Sequence, residues 1–123
     1  MLNHKLSRKA QLFLLGALLG VAIFLLVYGT APLNVANDAF CRGGYIEKDI
    51  QQHYAGWLFY KRSAIGWPLG VTDAVNYPGG VSVAYTDSIP LLAALCRPLA
   101  AALGGTFQYF GWFTLVCFAL QGG

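Results

Sequence analysis

Five polar residues in a largely apolar chain set the chemistry within reach. Glu47 and Asp49 form an acid-x-acid pair, and His53 stands four residues after Asp49. Residues four apart share a helix face, so Asp49 and His53 would meet one turn apart. Carboxylates beside an imidazole can hold a divalent cation such as Mg or Mn through oxygen, or take a proton from a hydroxyl. The same spacing also reads as capping, since Asp49-x-x-Gln52 has the form of a capping box. Asp87 is either a second polar group at that site or, with Ser88, the cap of a helix that begins at Ile89-Pro90. Arg97 is the one charge in its apolar run. It either snorkels to lipid headgroups or grips a phosphate with its planar guanidinium.

The elements that must position these groups follow from composition and pattern. The chain has 123 residues, 57% hydrophobic and 11% charged, against roughly 25% charged in soluble domains. Disorder needs the opposite balance. A net charge of +3, with half or more of the basic residues unclustered, argues against nucleic acid as a partner. What remains is a membrane protein or a piece of one. Residues 10–28 carry no charge and as a helix measure about 28 Å, close to the roughly 30 Å hydrocarbon core. A signal peptide is the competing reading, but its apolar region is usually only about 7–15 residues. Lys5, Arg8 and Lys9 crowd residues 1–9, whereas residues 29–88 dilute four basic residues with all five acids of the chain. The positive-inside rule then puts the N-terminus in the cytoplasm and the loop outside. Gly16 and Gly20 form a GxxxG that would suit a helix partner, or are ordinary membrane-helix glycines. Cys41, Cys96 and Cys117 lack metal spacing and read as free thiols, with a Cys41–Cys96 pair as the alternative on an oxidising side.

In the loop 29–88, the pattern predicts an amphipathic helix over about 47–62, with Ile50, Tyr54, Trp57 and Leu58 on one stripe. Gly56 weakens its middle. Trp67-Pro68-Leu69-Gly70 and Tyr77-Pro78-Gly79-Gly80 are turn sequences, the second suiting a type II turn. Residues 81–85 alternate weakly and suggest an extended stretch. Residues 89–103 are too short to span and read as an interfacial helix. Residues 106–123 reach about 27 Å and read as a second transmembrane helix, cut short. The expected fold is therefore all-α: two transmembrane helices flanking a periplasmic loop with one or two interfacial helices, part of a larger polytopic fold, with membrane lipid as a partner.

The strings Asp49-Ile-Gln-Gln-His-Tyr-Ala-Gly-Trp-Leu-Phe-Tyr, Trp67-Pro-Leu-Gly, Tyr85-Thr-Asp-Ser-Ile-Pro-Leu-Leu and Phe107-Gln-Tyr-Phe-Gly resemble the N-terminal part of a family of bacterial multi-spanning inner-membrane proteins. That family in turn resembles the GT-C class of membrane glycosyltransferases in layout: a cytoplasmic N-terminus, a first span, then an external loop with membrane-parallel helices and an early acidic motif. The resemblance covers about residues 10–121. It implies a bacterial inner-membrane, multi-pass protein that uses a polyprenyl-phosphate sugar donor. It further implies Asp49 as catalytic base or metal ligand, Glu47 as its secondary partner, and His53 and Asp87 as neighbours without an assigned role; with Arg97, read from its own chemistry, these two are the candidates for substrate binding. GT-C enzymes are several times longer, so the resemblance implies an N-terminal fragment, inactive alone. The alternative is a small non-catalytic two-span protein or an inactive truncated gene product.

Overall fold

The computed structural model describes residues 7–43, 48–64, 66–86 and 88–123. Over these residues the chain is mostly helical, with five α-helices: α1 (Arg8–Tyr28), α2 (Ala39–Arg42), α3 (Lys48–Arg62), α4 (Pro90–Leu103) and α5 (Phe110–Gly122). Two short strands, β1 (Val71–Thr72) and β2 (Val81–Ser82), pair antiparallel with Val71 opposite Ser82. The chain divides into two compact units, Met1–Asn34 with Phe110–Gly123, and Val35–Tyr109.

In the first unit, Ser7 caps α1 by accepting from the Ala10 N–H at 3.3 Å. Gly29 ends the helix in the left-handed region at φ 70° and donates its N–H to Leu25, a conformation glycine adopts without steric cost. At 21 residues and a mean hydropathy of 2.6, α1 is the one helix among the described residues long and apolar enough to cross a membrane. Only 11% of its apolar window is buried. Leu12, Leu15, Leu18, Leu26 and Val27 are all exposed, which is not how the central helix of a soluble core sits.

The face of α1 that meets α5 carries Gly16, Gly20 and Phe24, with Gly20 and Phe24 buried. A Cβ on Gly16 would stand 1.8 Å from the Gly122 carbonyl oxygen, and one on Gly20 would stand 2.1 Å from that of Phe118. The two backbones therefore touch, as small residues one turn apart allow. One turn further on, the fully buried Phe24 lies 5.4 Å from the Tyr28 ring and meets Phe118 edge-on at 5.8 Å. α5 starts at Phe110 rather than near residue 106, and its 13 residues measure about 20 Å, short of the span expected for 106–123. The reason is that residues 106–109 are held by tertiary bonds. The Gln108 N–H donates to the Val35 carbonyl at 2.9 Å, and its side-chain amide donates to the Asn37 carbonyl at 3.4 Å.

The second unit closes around α3. Tyr54, Trp57 and Tyr60 are buried at three-residue spacing, while Ile50 and Leu58 of the expected stripe are half-buried. Gly56 has a packing reason: a Cβ there would lie 2.3 Å from the Ser88 hydroxyl and 2.5 Å from the Thr86 side chain. The residues expected to be extended are so only at β2, after which Val83–Thr86 turn into a 3-10 helix. Tyr77-Pro78-Gly79-Gly80 closes by a bond from the Gly80 N–H to the Asn76 carbonyl, with φ positive at Asn76 and Gly80, rather than as a type II turn. α4 runs through Pro98. Its cap position is Ile89 at φ 51°, without a side-chain cap bond. Ser88 does not cap α4. It is buried and donates to the His53 carbonyl at 2.8 Å. The three cysteines are free thiols, with Cys41 buried.

The glycine seam makes a direct prediction. Gly20→Leu should force α1 and α5 apart and lower the melting temperature of the detergent-solubilised protein, since overpacking costs about 1–3 kcal/mol or more. Leu26→Ala, at a position 85% exposed, should leave it unchanged.

Candidate functional site

Asp49 lies in the first turn of α3, with its side chain exposed. The partial positive charge of a helix N-terminus favours a carboxylate there, and among the described residues no ion pair engages it. Its position inside the helix replaces the capping-box reading, which needs Asp49 before the first turn. Gln51 reaches back and donates to the Arg42 carbonyl at 3.1 Å and to that of Gly43. His53 sits one turn after Asp49, half-buried, with its Nδ1 closed off from solvent and without a hydrogen-bond partner. The imidazole is held at the edge of the packed core through its own backbone, whose carbonyl takes the Ser88 bond.

Glu47 and Asp87 lie outside the described residues, so the acid-x-acid pair and the second polar group are not placed. Among the described residues, no three His, Cys, Asp or Glu side chains gather as metal ligands. Asp49 and His53 place one carboxylate and one imidazole one helical turn apart.

Arg97 corrects both of its sequence readings. It is 6% exposed, so it neither snorkels nor presents a fork to a phosphate. Its guanidinium stacks over the Tyr60 ring at 4.6 Å from the centroid and donates to the Ser63 carbonyl. That carbonyl closes the end of α3, where the last carbonyls lack helical partners. Lys61 acts similarly across the unit, donating to the Gly105 carbonyl at 2.9 Å. The charge of Arg97 is spent on joining α4 to α3.

A second polar cluster was not singled out from the sequence. Asp38 accepts from the Tyr54 hydroxyl at 2.8 Å and from Arg42 Nε at 2.7 Å. The Asp38–Arg42 pair has readable i, i+4 spacing. Tyr54, sixteen residues away, has no sequence signal linking it to Asp38. Burial pushes the Asp38 carboxyl up, but the bonds from Tyr54 and Arg42 and the guanidinium charge outweigh it and hold it below its ordinary value. Burial, and then the Asp38 bond, push the Tyr54 phenol well above its own. A cleft of about 360 Å³ lies beside the cluster, lined by Cys41, Arg42, Gln51, Tyr54, Ala55 and Leu58. Its polar groups bond to one another and to backbone, so the cluster is a fastening for α2 on α3.

Two outcomes follow. Arg97→Ala should destabilise Val35–Tyr109 by about 3–5 kcal/mol, the sum of a desolvated cation–π contact and a stranded carbonyl. Urea unfolding checks this, and an unchanged midpoint would return Arg97 to ligand binding. Asp38 has a folded value below its unfolded one. The stability it contributes is present above about pH 4 and is lost as pH falls through the folded value. Acid titration should show this limb in the wild type and a shallower one in Asp38→Asn, which starts less stable at neutral pH.

The comparisons with known proteins add one result. No curated protein and no solved structure matches the chain. A family model described as a domain of unknown function, DUF6311, matches residues 17–123. That match runs from within α1 to the end of α5 and takes in every residue of Val35–Tyr109, so the chain belongs to the DUF6311 family.

Proposed function

We propose that the chain is a membrane-anchored protein of the bacterial inner membrane, multi-pass and with its N-terminus in the cytoplasm. Its Val35–Tyr109 unit would work at the external face in GT-C-like glycosyl transfer from a polyprenyl-phosphate donor. The observation that carries the membrane part is α1, a 21-residue helix whose apolar window has a mean hydropathy of 2.6 and whose Leu12, Leu15, Leu18, Leu26 and Val27 side chains are exposed. α4 supports it. Leu91, Leu95, Leu99 and Leu103 are all exposed and lie four apart, one stripe along the helix. The one charge of α4, Arg97, is buried. A helix with an uncharged leucine face suits the boundary between headgroups and hydrocarbon.

The catalytic part rests on Asp49. In this reading an acceptor hydroxyl gives its proton to the Asp49 carboxylate while its oxygen attacks the anomeric carbon. The bond from that carbon to the phosphate oxygen breaks, and the polyprenyl phosphate leaves with the electron pair. Glu47 is the secondary acid, and His53 and Asp87 stand near the substrate. An exposed carboxylate in a helix first turn is within reach of an acceptor hydroxyl, and among the described residues no ion pair engages it.

The test uses the full-length protein in membranes with radiolabelled polyprenyl-phosphate glucose, mannose and arabinose. The wild type should release label from the lipid fraction. Asp49→Ala and Asp49→Asn should each reduce release by about 100-fold or more, the usual contribution of a general base, with unchanged melting temperature. Release unaffected in both variants would remove Asp49 from the mechanism. No release above empty membranes from any donor would favour the non-catalytic two-span reading.

A further inference from the structure

The turn between α3 and β1 exposes a tryptophan where burial would be the rule. Trp67 is 88% exposed, whereas Trp57 is fully buried. Beside it is a cleft of about 240 Å³ lined by Ala64, Gly66, Trp67, Pro68, Val71 and Asp73. The chain that carries these residues is tied to the rest of the unit at Thr72 and Gly70. Thr72 is fully buried, shares a hydrogen bond with the Ser63 hydroxyl and accepts from the Ala74 N–H at 3.3 Å. The β1–β2 pairing continues this hold, and the Val83 N–H donates to the Gly70 carbonyl at 2.6 Å. Gly70, at φ 86°, makes the reversal that brings the chain from Trp67 into β1. The indole and the carboxylate thus sit on a braced turn, and a braced site loses little freedom when it binds.

We propose that this cleft is a saccharide subsite that takes one pyranose ring. An indole offers a large apolar face with a negative quadrupole, which matches the C–H face of a pyranose. An ionised carboxylate only accepts hydrogen bonds, and ring hydroxyls donate them. Trp67 and Asp73 supply these two surfaces in one opening. Its volume is below the roughly 300–1,000 Å³ of sites for drug-sized ligands, so it suits a single ring. A lipid surface fits less well. Interfacial tryptophans work with basic partners at anionic headgroups, and the charged group in this cleft is an acid. Holding the acceptor sugar, as the role of the subsite, rests on the glycosyl-transfer reading above; the binding does not.

The test is saturation-transfer NMR on the full chain in lipid nanodiscs, without glycoside detergents. The probes are methyl α-glucopyranoside, methyl α-mannopyranoside and methyl β-galactopyranoside. At least one should give a saturable signal concentrated on one ring face. Trp67→Ala should abolish that signal, and Asp73→Asn should weaken binding about threefold or more. Both variants should keep the wild-type melting temperature, because both side chains are exposed. Absence of any saturable signal, or a signal that survives Trp67→Ala, overturns the proposal. So does quenching by brominated lipid that disappears in Trp67→Phe, which would put the indole in the bilayer. The two readings fail separately. Glycoside binding without release of lipid-linked sugar removes the transfer reading and keeps the subsite. Release that persists in Trp67→Ala without glycoside binding does the reverse.

Discussion

The Val35–Tyr109 unit is organised by the burial of one indole. Trp57 is fully buried and donates its N–H to the Phe107 carbonyl at 2.8 Å. It meets Tyr109 edge-on at 5.0 Å and Phe107 at 6.2 Å. A buried indole N–H without a partner costs about 1–3 kcal/mol, so residue 107 must bring its carbonyl to Trp57. That requirement holds residues 106–109 in a non-helical path, and α5 begins only where they end. Next along α3, Gly56 lets Thr86 and Ser88 approach, and the buried Tyr109 hydroxyl donates to the Ser88 carbonyl. The entry to α4 is thereby held by contacts to α3 and to Tyr109.

The polar side chains inside this unit are consumed by the same closure. Arg97, Ser88 and Gln108 each donate to a backbone carbonyl, and Thr72 takes a backbone N–H. Buried donors and acceptors must be paired, and here the pairing ties elements together. Groups that remain open to a substrate are therefore at the rim: Asp49 on the first turn of α3, and Trp67 with Asp73 on the turn that leaves it. The functional proposals rest on these rim positions because Arg97, Ser88, Gln108 and Thr72 are already engaged, although the buried His53 Nδ1 has no partner among the described residues.

Elements whose pattern is local were legible in the sequence. α1, α3 and α4 fall within two residues of their expected bounds, since periodicity, Pro90 and Gly104 mark them. What escaped was set by partners distant in the chain. The start of α5 was misplaced because Phe107-Gln108-Tyr109 look as helical as the residues after them, and only Val35, Asn37 and Trp57 hold them otherwise. Arg97 looked like a membrane-facing charge because Tyr60 and the Ser63 carbonyl, more than thirty residues away, give no local sign. The Asp38–Tyr54 bond was invisible for the same reason. Asp49 was legible as exposed and helical, whereas Glu47 and Asp87 fall outside the described residues.

The account depends most on Val35–Tyr109 facing outward from a membrane that α1 crosses. Tyr77 is 84% exposed, so Tyr77→Cys, in a chain with its three cysteines replaced by alanine, reports the side directly. A membrane-impermeant maleimide applied to intact, right-side-out cells or vesicles should label it as fully before permeabilisation as after. Labelling only after permeabilisation would invert the orientation and contradict the account, and recovery of the labelled protein in the soluble fraction would remove the membrane anchor altogether.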